Sequence, residues 1–368
     1  MYRQITATDL AARIGSEDPP FVLDVRNPDE HEAWKIATSV NIPVTELADR
    51  LGELPAGTEL VVHCAAGARS AQAAAVLVDA GFDVAELSGG MGSWAEVYDT
   101  AELPAGDATV VQVRRRAKGC LSYVVGAGDT AFVIDPSTKV SVYERVAAER
   151  GWRITRIFDT HLHADHLSGA RLLAKRTGAT VHLNPADTFD FPFEALSDRD
   201  EFTLPGGTDF GVSVLHTPGH TEGSTIFQVG DHVLLTGDTL FVDGVGRPDL
   251  AERAEEFARN LHRSLTERVL SAGDDTIVLP SHYGDDVAVR PGKAVGATIG
   301  ELVEHLAPLR YDEEAFVRWA SAAASDRPPN YVEIINANMG RPRVGFEELR
   351  SLELGPNRCS VSVGAHDG

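Results

Sequence analysis

Between residues 21 and 94, short apolar runs alternate with segments of helical character. Residues 21–25 and 60–63 are apolar runs of strand length, which predicts two buried strands. Residues 70–79 are rich in alanine and Gly81 follows them, which predicts a helix with a C-terminal stop. A parallel sheet with helices on its faces requires this alternation. We therefore expect an α/β domain over residues 1–100.

The pattern changes near residue 108. Residues 101–108, AELPAGDA, combine proline and glycine with a polar bias, which predicts a linker between two domains. Beyond it, β-rich runs at 109–116, 121–126 and 131–135 give way to alternating helix and strand signals. Strands gathered first, with βα units afterwards, favour two stacked sheets with helices outside, and we assign this second domain to residues 109–368.

The end of the chain has a helical pattern. Residues 297–306 and 313–324 predict two helices, and the prolines at 328 and 329 would stop the second one. The whole chain of 368 residues is longer than one core usually serves, which also favours two domains followed by a helical C-terminal tail.

Charge and composition exclude several classes of partner. A net charge of −22 repels phosphate backbones, so we expect no nucleic-acid partner. The short basic run Arg114-Arg115-Arg116 lies in a β-like segment, where we expect a solvated strand face. The chain has no long apolar run and its N-terminus is polar, so we expect neither membrane insertion nor a secretory signal. Three scattered cysteines suit a reducing compartment, and we expect a cytoplasmic protein.

Three histidines and a carboxylate lie within six residues, directly after the apolar run 154–158. They are His161, His163, Asp165 and His166. Histidines crowded on a surface would repel one another once protonated, whereas a loop at a strand end can direct them at one metal ion. The sequence therefore predicts a metal site at this loop.

Three further candidate ligands, His220, Asp238 and His282, follow strand-like runs later in the chain. Clustered histidine and aspartate side chains are the usual ligands of borderline metals. We expect the remaining candidates His182, His216 and His305 to be packing or surface residues.

These residues resemble the metallo-β-lactamase superfamily over residues 109–283. Asp135, the HxHxDH stretch, His220, Asp238 and His282 match its five motifs in order. The resemblance implies an αββα sandwich and a catalytic metal. The superfamily hydrolyses esters, thioesters and phosphodiesters, but one branch, the persulfide dioxygenases, oxidises its substrate.

The ligand residues alone leave both activities open. A hydrolase with two zinc ions uses all seven positions, with Asp238 bridging the metals. A dioxygenase needs two histidines and one carboxylate on one face of Fe(II), which leaves three positions free. The resemblance to persulfide dioxygenases implies one Fe(II) per chain on His161, His220 and Asp238. The other four residues would orient these ligands or bind water; they are His163, Asp165, His166 and His282.

Two stretches favour the dioxygenase branch. Residues 237–249 resemble its GDxLFxxGxGRxD segment, which implies that Arg247 binds the thiol substrate and that Asp249 ends the motif. Residues 327–336 and Asn338 are also similar to bacterial persulfide dioxygenases fused to rhodanese domains. In the better-known branch a tyrosine lies two residues past the last histidine, whereas Tyr283 follows His282 directly. The alternative is a thioester hydrolase with two zinc ions that resembles glyoxalase II.

A cysteine loop lies between the second predicted strand and its helix. Cys64 begins it, Gly67 gives it backbone freedom and Arg69 adds positive charge, and backbone N–H groups at a helix N-terminus favour a thiolate. The loop resembles the rhodanese CxxGxR loop, and segments 23–26, 41–43 and 87–94 resemble other rhodanese elements. The resemblance implies a catalytic role for Cys64 and Arg69. Cys120, in a strand-like run, is expected to be a small buried apolar residue.

Together these features predict an enzyme that uses O2 to oxidise a low-molecular-weight thiol persulfide to sulfite and thiol. Cys64 would carry sulfane sulfur between thiosulfate and the thiol. Glutathione, coenzyme A and other thiols fit this role equally. A rhodanese fold kept only for docking or sulfur sensing is a third alternative. Members of this family often dimerise, so a homodimer is an alternative to a monomer.

Overall fold

The structure is a computed structural model that describes residues 2–204, 211–248, 253–284, 287–322, 330–345, 348–349, 351 and 360–362. Asp249 at the end of the motif, the third cysteine of the chain, Cys359, and the segment 327–329 lie outside these ranges. Among the helices of the described residues, none is both long enough and apolar enough to cross a membrane.

The first domain is a five-stranded parallel sheet in the order β1-β5-β4-β2-β3, with helices between its strands. Its elements are β1 (Arg3–Ile5), α1 (Ala7–Ile14), β2 (Phe21–Asp24), α2 (Pro28–Ala33), β3 (Val40–Asn41), β4 (Leu60–His63), α3 (Ala68–Asp79), β5 (Val84–Leu87) and α4 (Gly90–Trp94). The predicted strands and the alanine-rich helix are confirmed, although α3 begins two residues earlier than its alanine content predicts.

The second domain begins with a seven-stranded sheet in the order β12-β11-β10-β9-β8-β7-β6. Its elements are β6 (Tyr98–Ala105), β7 (Ala108–Arg115), β8 (Cys120–Ala127), β9 (Thr130–Ile134), α5 (Ser141–Glu149), β10 (Arg153–Phe158), α6 (Ala170–Thr177), β11 (Thr180–Leu183) and β12 (Glu194–Ala195). Strands β6 to β9 are antiparallel neighbours, whereas β9 to β12 are parallel.

A second sheet of six strands has the order β13-β14-β15-β16-β18-β19. The remaining elements are β13 (Glu201–Thr203), β14 (Gly211–His216), β15 (Thr225–Val229), β16 (Val233–Gly237), β17 (Gly244–Gly246), α7 (Ala254–Ser264), β18 (Ile277–Pro280), β19 (Ala297–Thr298), α8 (Ile299–His305), α9 (Glu313–Ala322), α10 (Tyr331–Asn338) and β20 (Ser360–Ser362). Helices α8 and α9 match the two predicted tail helices, and α10 is an additional helix.

The two sheets of the second domain face each other across one apolar core. Phe132 and Val110 of the first sheet pack in the same cluster as Phe227, Leu235 and Val212 of the second. Helices α5 and α6 cover the outer face of the first sheet, and α7, α8 and α9 cover that of the second. This four-layer arrangement of helix, sheet, sheet and helix confirms the predicted architecture.

The segment expected to be a linker is instead part of a strand. Residues 98–105 form β6 and pair with β7 from Tyr98↔Arg115 to Ala105↔Ala108, and Gly106-Asp107 make a two-residue hairpin turn. β6 is the edge strand of its sheet, and an edge strand tolerates Pro104, which has no N–H group to donate to a neighbouring strand. An edge hairpin can contain proline and glycine just as a linker does, so composition does not distinguish the two. The prediction of a linker at 101–108 is wrong.

The arginine triplet is also not a solvated strand face. Arg114 is almost fully buried, pairs with Asp99 at 2.5 Å and donates to the backbone carbonyl of Arg290 at 3.0 Å. Arg115 is buried and donates to the carbonyl of Ala95 in the first domain at 3.2 Å. These charges satisfy backbone carbonyls and a carboxylate, so they join segments that are distant in the sequence.

Candidate metal centre and cysteine loop

The metal candidates lie where neighbouring strands of the two sheets end. β9 and β10 are parallel, so Asp135 after β9 and the histidine loop after β10 emerge at the same edge. Asp135 has a left-handed φ of 53°. Its carboxylate accepts the backbone N–H of Thr160 at 2.7 Å and lies 3.1 Å from Nε2 of His163. Asp135 therefore holds the first turn of the histidine loop.

His161, His220 and Asp238 come from three different loops and meet in the interior. The Nε2 atoms of His161 and His220 lie 3.6 and 3.5 Å from Oδ2 of Asp238. All three side chains are buried, and within the described residues these three atoms have no hydrogen-bond partner. Unpartnered polar atoms that converge in a buried site are costly unless a cation binds them, so this set fits a metal ion.

The opposite ring nitrogens of the two histidines have partners. Nδ1 of His220 lies 3.0 Å from the Arg247 carbonyl, and Nδ1 of His161 lies 2.9 Å from the Thr160 hydroxyl. A carbonyl can only accept, so Nδ1 of His220 carries the proton and Nε2 keeps its lone pair. Burial lowers the pKa of both imidazoles, which favours the neutral form that metals bind.

The other predicted residues contact one another. Asp165 lies 3.2 Å from Nδ1 of His166 and 2.8 Å from Nε2 of His282, and Nδ1 of His282 lies 2.6 Å from Oδ1 of Asp238. Burial alone would lower the pKa of His282, but the carboxylates of Asp165 and Asp238 raise it well above its usual value. His282 therefore links Asp238, which faces His161 and His220, to the neighbouring pair Asp165 and His166.

His163 belongs to a third group, with Asp135 and Asp159. Burial opposes protonation of its ring, but the adjacent carboxylate of Asp135 outweighs this effect and raises the pKa of His163 to about 9. The seven predicted positions thus form three groups. In the triad of His161, His220 and Asp238 all three side chains have an unpartnered atom, whereas the other two groups have internal contacts and one unpartnered ring nitrogen each, on His163 and on His282.

Cys120 is buried, as predicted, and it also contacts the metal candidates. Its Sγ lies 3.8 Å from Oδ2 of Asp165, and its backbone forms a β-bridge with His282. Ligand atoms of Cys120, Asp165, His166 and His282 all lie within 4.8 Å of one another. The pairing of β8 with residue 282 creates this contact, and no local pattern around Cys120 indicates it.

Arg247 lies beside the triad and is almost fully buried. Its backbone carbonyl holds His220, as described above; binding of the substrate by its side chain remains a prediction. Gly246 precedes it, and a Cβ atom at that position would lie 1.9 Å from the Asp238 carbonyl oxygen. The glycine is therefore required for the close approach that positions Asp238.

Asp187 joins the two histidine loops, and the sequence did not point to it. Its buried carboxylate accepts backbone N–H groups of Leu162 and Gly223, both at 2.9 Å, and the Thr221 hydroxyl at 3.0 Å. These groups flank His161 and His220 in the sequence. An isolated aspartate in a loop carries no signal for such a role.

Asn338 of α10 fastens the histidine loop to the C-terminal tail. Its amide donates to the carbonyls of His163 and His166 at 2.9 and 2.8 Å, and its Oδ1 accepts the N–H of Ser168 at 3.0 Å. The resemblance of residues 327–336 and Asn338 to bacterial persulfide dioxygenases was the signal for this residue. Its role depends on contacts with residues up to 175 positions earlier in the sequence, which no local pattern indicates.

Replacement of Asn338 by alanine is expected to weaken metal retention, because three backbone groups of the histidine loop lose their partner. Loss of an outer partner typically reduces metal affinity by ~10–100-fold. Asn336→Ala is the matched control, since Asn336 lies on the same helix and its side-chain amide donates to the Val332 carbonyl of that helix, at 2.8 Å. Metal affinity is measured by competition with a chelator, and equal affinity in both variants would contradict this role.

The cysteine loop connects β4 to α3. The Sγ atom of Cys64 accepts the N–H of Gly67 at 3.1 Å and lies 3.4 Å from the Ser70 hydroxyl. Gly67 has a left-handed φ of 112° at the start of α3, which turns its N–H toward the sulfur. Burial raises the pKa of the Cys64 thiol, but hydrogen bonds from Ser70, Gly67 and Ala66 outweigh it, so the pKa is lowered. This favours the nucleophilic thiolate.

Arg69 pairs with Glu30 through two contacts of 2.6 and 2.8 Å. The backbone N–H groups that were predicted to favour the thiolate do so, together with the Ser70 hydroxyl, whereas the guanidinium of Arg69 is engaged by Glu30. A buried carboxylate that the sequence did not indicate, Glu86, accepts the Ser70 hydroxyl at 2.8 Å. His63 is buried on the other side of the strand, near Asp24.

Histidines outside the motifs lie away from the triad. His182 stacks on Phe158 with ring centroids 5.1 Å apart, and Nε2 of His216 lies 2.8 Å from the Glu222 carbonyl. His305 is exposed at the end of α8. These are packing and surface positions, as predicted.

Comparison with known proteins agrees with this geometry. Residues 115–282 match the family model described as metallo-beta-lactamase superfamily, and residues 6–97 match the rhodanese-like domain. The chain therefore belongs to the metallo-beta-lactamase superfamily and has a rhodanese-like domain before its metallo-beta-lactamase domain.

Several relatives cover much of the second domain. An uncharacterized protein of Mycobacterium leprae is 32% identical, over 44% of this chain and 86% of its own length. The hydroxyacylglutathione hydrolase of Methylococcus capsulatus is 35% identical, over 52% of this chain and 73% of its own length. The crystal structure of ETHE1 from Myxococcus xanthus has a TM-score of 0.55 and 29% identity, and the match covers 62% of this chain and 97% of that one.

Proposed function

We propose that this chain is a persulfide dioxygenase with a sulfurtransferase domain. A low-molecular-weight thiol persulfide, RSSH, would react with O2 and water to give the thiol RSH and sulfite, with two protons released from the sulfurous acid formed. His161, His220 and Asp238 would hold one Fe(II) ion, and a bound Fe(II) would supply the activation of O2.

The observation that carries this proposal is the division of the seven motif residues. Each of the three side chains in the two-histidine, one-carboxylate set has an unpartnered atom, and these three atoms converge on one point. Nδ1 of His163 and Nε2 of His282 also lack a hydrogen-bond partner, but Nε2 of His282 lies 2.8 Å from the Asp165 carboxylate. Asp165, His166 and His282 contact one another instead, and His163 pairs with Asp135. A facial set of two histidines and a carboxylate is typical of non-haem iron oxygenases. The likeness to ETHE1 fits the same proposal.

The surrounding residues prepare the triad for this role. Burial of all three side chains limits access of water, which protects reactive sulfur and oxygen species from side reactions. The Arg247 carbonyl fixes the ring orientation of His220, and the His282 ring fixes Asp238 through its second oxygen. The chain thus holds two of the three triad side chains, His220 and Asp238, in fixed orientations through contacts outside the triad.

In the first domain, Cys64 would carry sulfane sulfur. The Cys64 thiolate would attack thiosulfate to form a Cys64 persulfide, and the S–S bond of thiosulfate would break with release of sulfite. A thiol would then take the outer sulfur as RSSH and return the Cys64 thiolate. The lowered pKa of Cys64 and its cradle of N–H groups support this chemistry.

A thioester hydrolase with two zinc ions is the second candidate. It is favoured by the group Cys120, Asp165, His166 and His282, whose ligand atoms could hold a second metal ion beside the triad. Relatives named hydroxyacylglutathione hydrolase also favour it, although the chain spans only 60% of the length of one such relative, from Tolumonas auensis.

The two candidates differ in substrate and metal, so one preparation can be tested for both. The metal-free chain is loaded separately with Fe(II) and with Zn(II), and each form is given glutathione persulfide under O2 and S-lactoylglutathione. We expect sulfite formation with Fe(II) and persulfide only. Thioester cleavage by the zinc form, without sulfite from the iron form, would replace our proposal with the hydrolase.

A further inference from the structure

A cleft of about 490 Å³ lies between the two domains. Its walls come from both, with Lys35 and Trp94 on the first-domain side and Gly119 and Tyr283 on the second-domain side. The volume falls within the range of small-molecule sites, which is ~300–1,000 Å³. The motif residues assign it no role.

The floor of the cleft adjoins the metal centre. The N–H of Tyr283 donates to the Gly119 carbonyl at 3.1 Å, and both residues line the cleft. Cys120 follows Gly119 in the sequence and His282 precedes Tyr283, and these two neighbours form an isolated β-bridge and belong to the same potential ligand group. Two residues that line the cleft are thus the immediate sequence neighbours of two candidate metal ligands.

The charge of the cleft is opposite to that of the chain. The chain has 55 acidic residues and a net charge of −22, yet no aspartate or glutamate occurs among the described residues that line the cleft. Lys35, Arg116 and Arg290 line it instead, and Lys35 and Arg290 are exposed. Arg116 also contacts Asp99, at 2.9 Å. A described lining with three cationic side chains and no acidic one favours an anion over a cation.

The cleft also has an apolar wall. Trp94 and Val289 line it, together with the ring of the partly exposed Tyr283. Cations beside apolar and aromatic surface suit an organic anion of some length better than an inorganic ion.

We propose that this cleft binds the anionic part of the thiol that carries the persulfide, so that the first domain completes the substrate site of the second. This inference rests on the proposed function for its choice of ligand. The shared chemistry is a thiol with several carboxylate or phosphate groups, which would face Lys35 and Arg290 while the sulfur end lies toward Cys120 and His282. The same cleft would let the thiol approach both domains without leaving their interface.

The test measures binding without turnover in the full-length protein. Isothermal titration uses S-methylglutathione, which offers carboxylates, and S-methyl-coenzyme A, which offers phosphates. The variant Lys35→Glu/Arg290→Glu reverses two cleft charges, and Lys175→Glu is the control, because Lys175 is equally exposed on α6 and lies outside the cleft lining.

The double variant should bind the preferred probe at least about tenfold more weakly, which corresponds to losing one or two charge-assisted contacts. Lys175→Glu should bind as the wild type does, and the difference should shrink as salt is added. Binding of S-methylglutathione alone assigns carboxylates and binding of S-methyl-coenzyme A alone assigns phosphates, and either result supports the proposal. No binding of either probe to the wild type, or equal binding to the double variant, overturns it. Since no oxygen chemistry is involved, failure of the dioxygenase proposal would be seen separately.

Discussion

The Asp238→Asn variant is expected to lose oxygen uptake with persulfide and to retain little iron. Asp238 supplies the only carboxylate of the triad, and its Oδ2 is the atom that both Nε2 atoms face at 3.5 and 3.6 Å. An amide is a far weaker ligand for a divalent cation. Loss of a residue that only hydrogen-bonds to a metal ligand typically reduces metal affinity by ~10–100-fold. Loss of the ligand itself should therefore reduce the affinity for iron by more than ~100-fold. Iron content and oxygen-electrode rates measure both effects.

This variant carries its own control for folding. Cys64 lies in the other domain, so transfer of sulfur from thiosulfate to cyanide should continue at the wild-type rate. Asp198→Asn is the matched substitution, since Asp198 pairs with Arg268 near the surface. If Asp238→Asn kept one iron per chain and full oxygen uptake, the assignment of the triad would be wrong.

Replacing Cys64 by serine should separate the two proposed activities completely. Oxygen uptake with preformed persulfide should remain near the wild-type rate, because Cys64 belongs to the core of the first domain. Uptake driven by thiosulfate plus thiol should disappear, since serine cannot form the persulfide that delivers the sulfur. Intact mass after thiosulfate treatment should show one added sulfur atom on the wild type and none on the variant.

A mixture of Cys64→Ser and Asp238→Asn chains tests how sulfur reaches the metal centre. Cys64 is 1% exposed in its cradle, which prevents a direct encounter with a buried site. A diffusible thiol should therefore restore part of the coupled reaction when the two variants are mixed. Coupled turnover of the wild type after removal of all small thiols would instead indicate direct transfer from Cys64.

Local patterns were sufficient to predict several of the strands, the stacked sheets and the loops that carry chemistry. His161, His163, Asp165 and His166 are recognisable because they are crowded into one loop after a strand, where geometry leaves few other roles. Periodicity likewise predicts β4 and α3, since each is determined by residues that are adjacent in the sequence.

Features that depend on distant contacts could not be predicted in this way. Pro104 has the same composition signal in an edge strand as in a linker, and only pairing with β7 distinguishes them. The sequence predicts a surface position for Arg114, but in the fold its side chain donates to the Arg290 carbonyl at 3.0 Å. Asn338 reaches the histidine loop through tertiary packing. Such residues obtain their role from partners that no local pattern reveals.

The stoichiometry of the reaction distinguishes oxygenation of a persulfide from hydrolysis. The chain loaded with Fe(II) is given a known amount of glutathione persulfide, and oxygen consumed, sulfite formed and thiol released are measured against the iron bound. Our account predicts equal amounts of oxygen, sulfite and thiol at one iron per chain. Persulfide left unchanged with no oxygen consumed, in protein that binds two metal ions per chain, would contradict it.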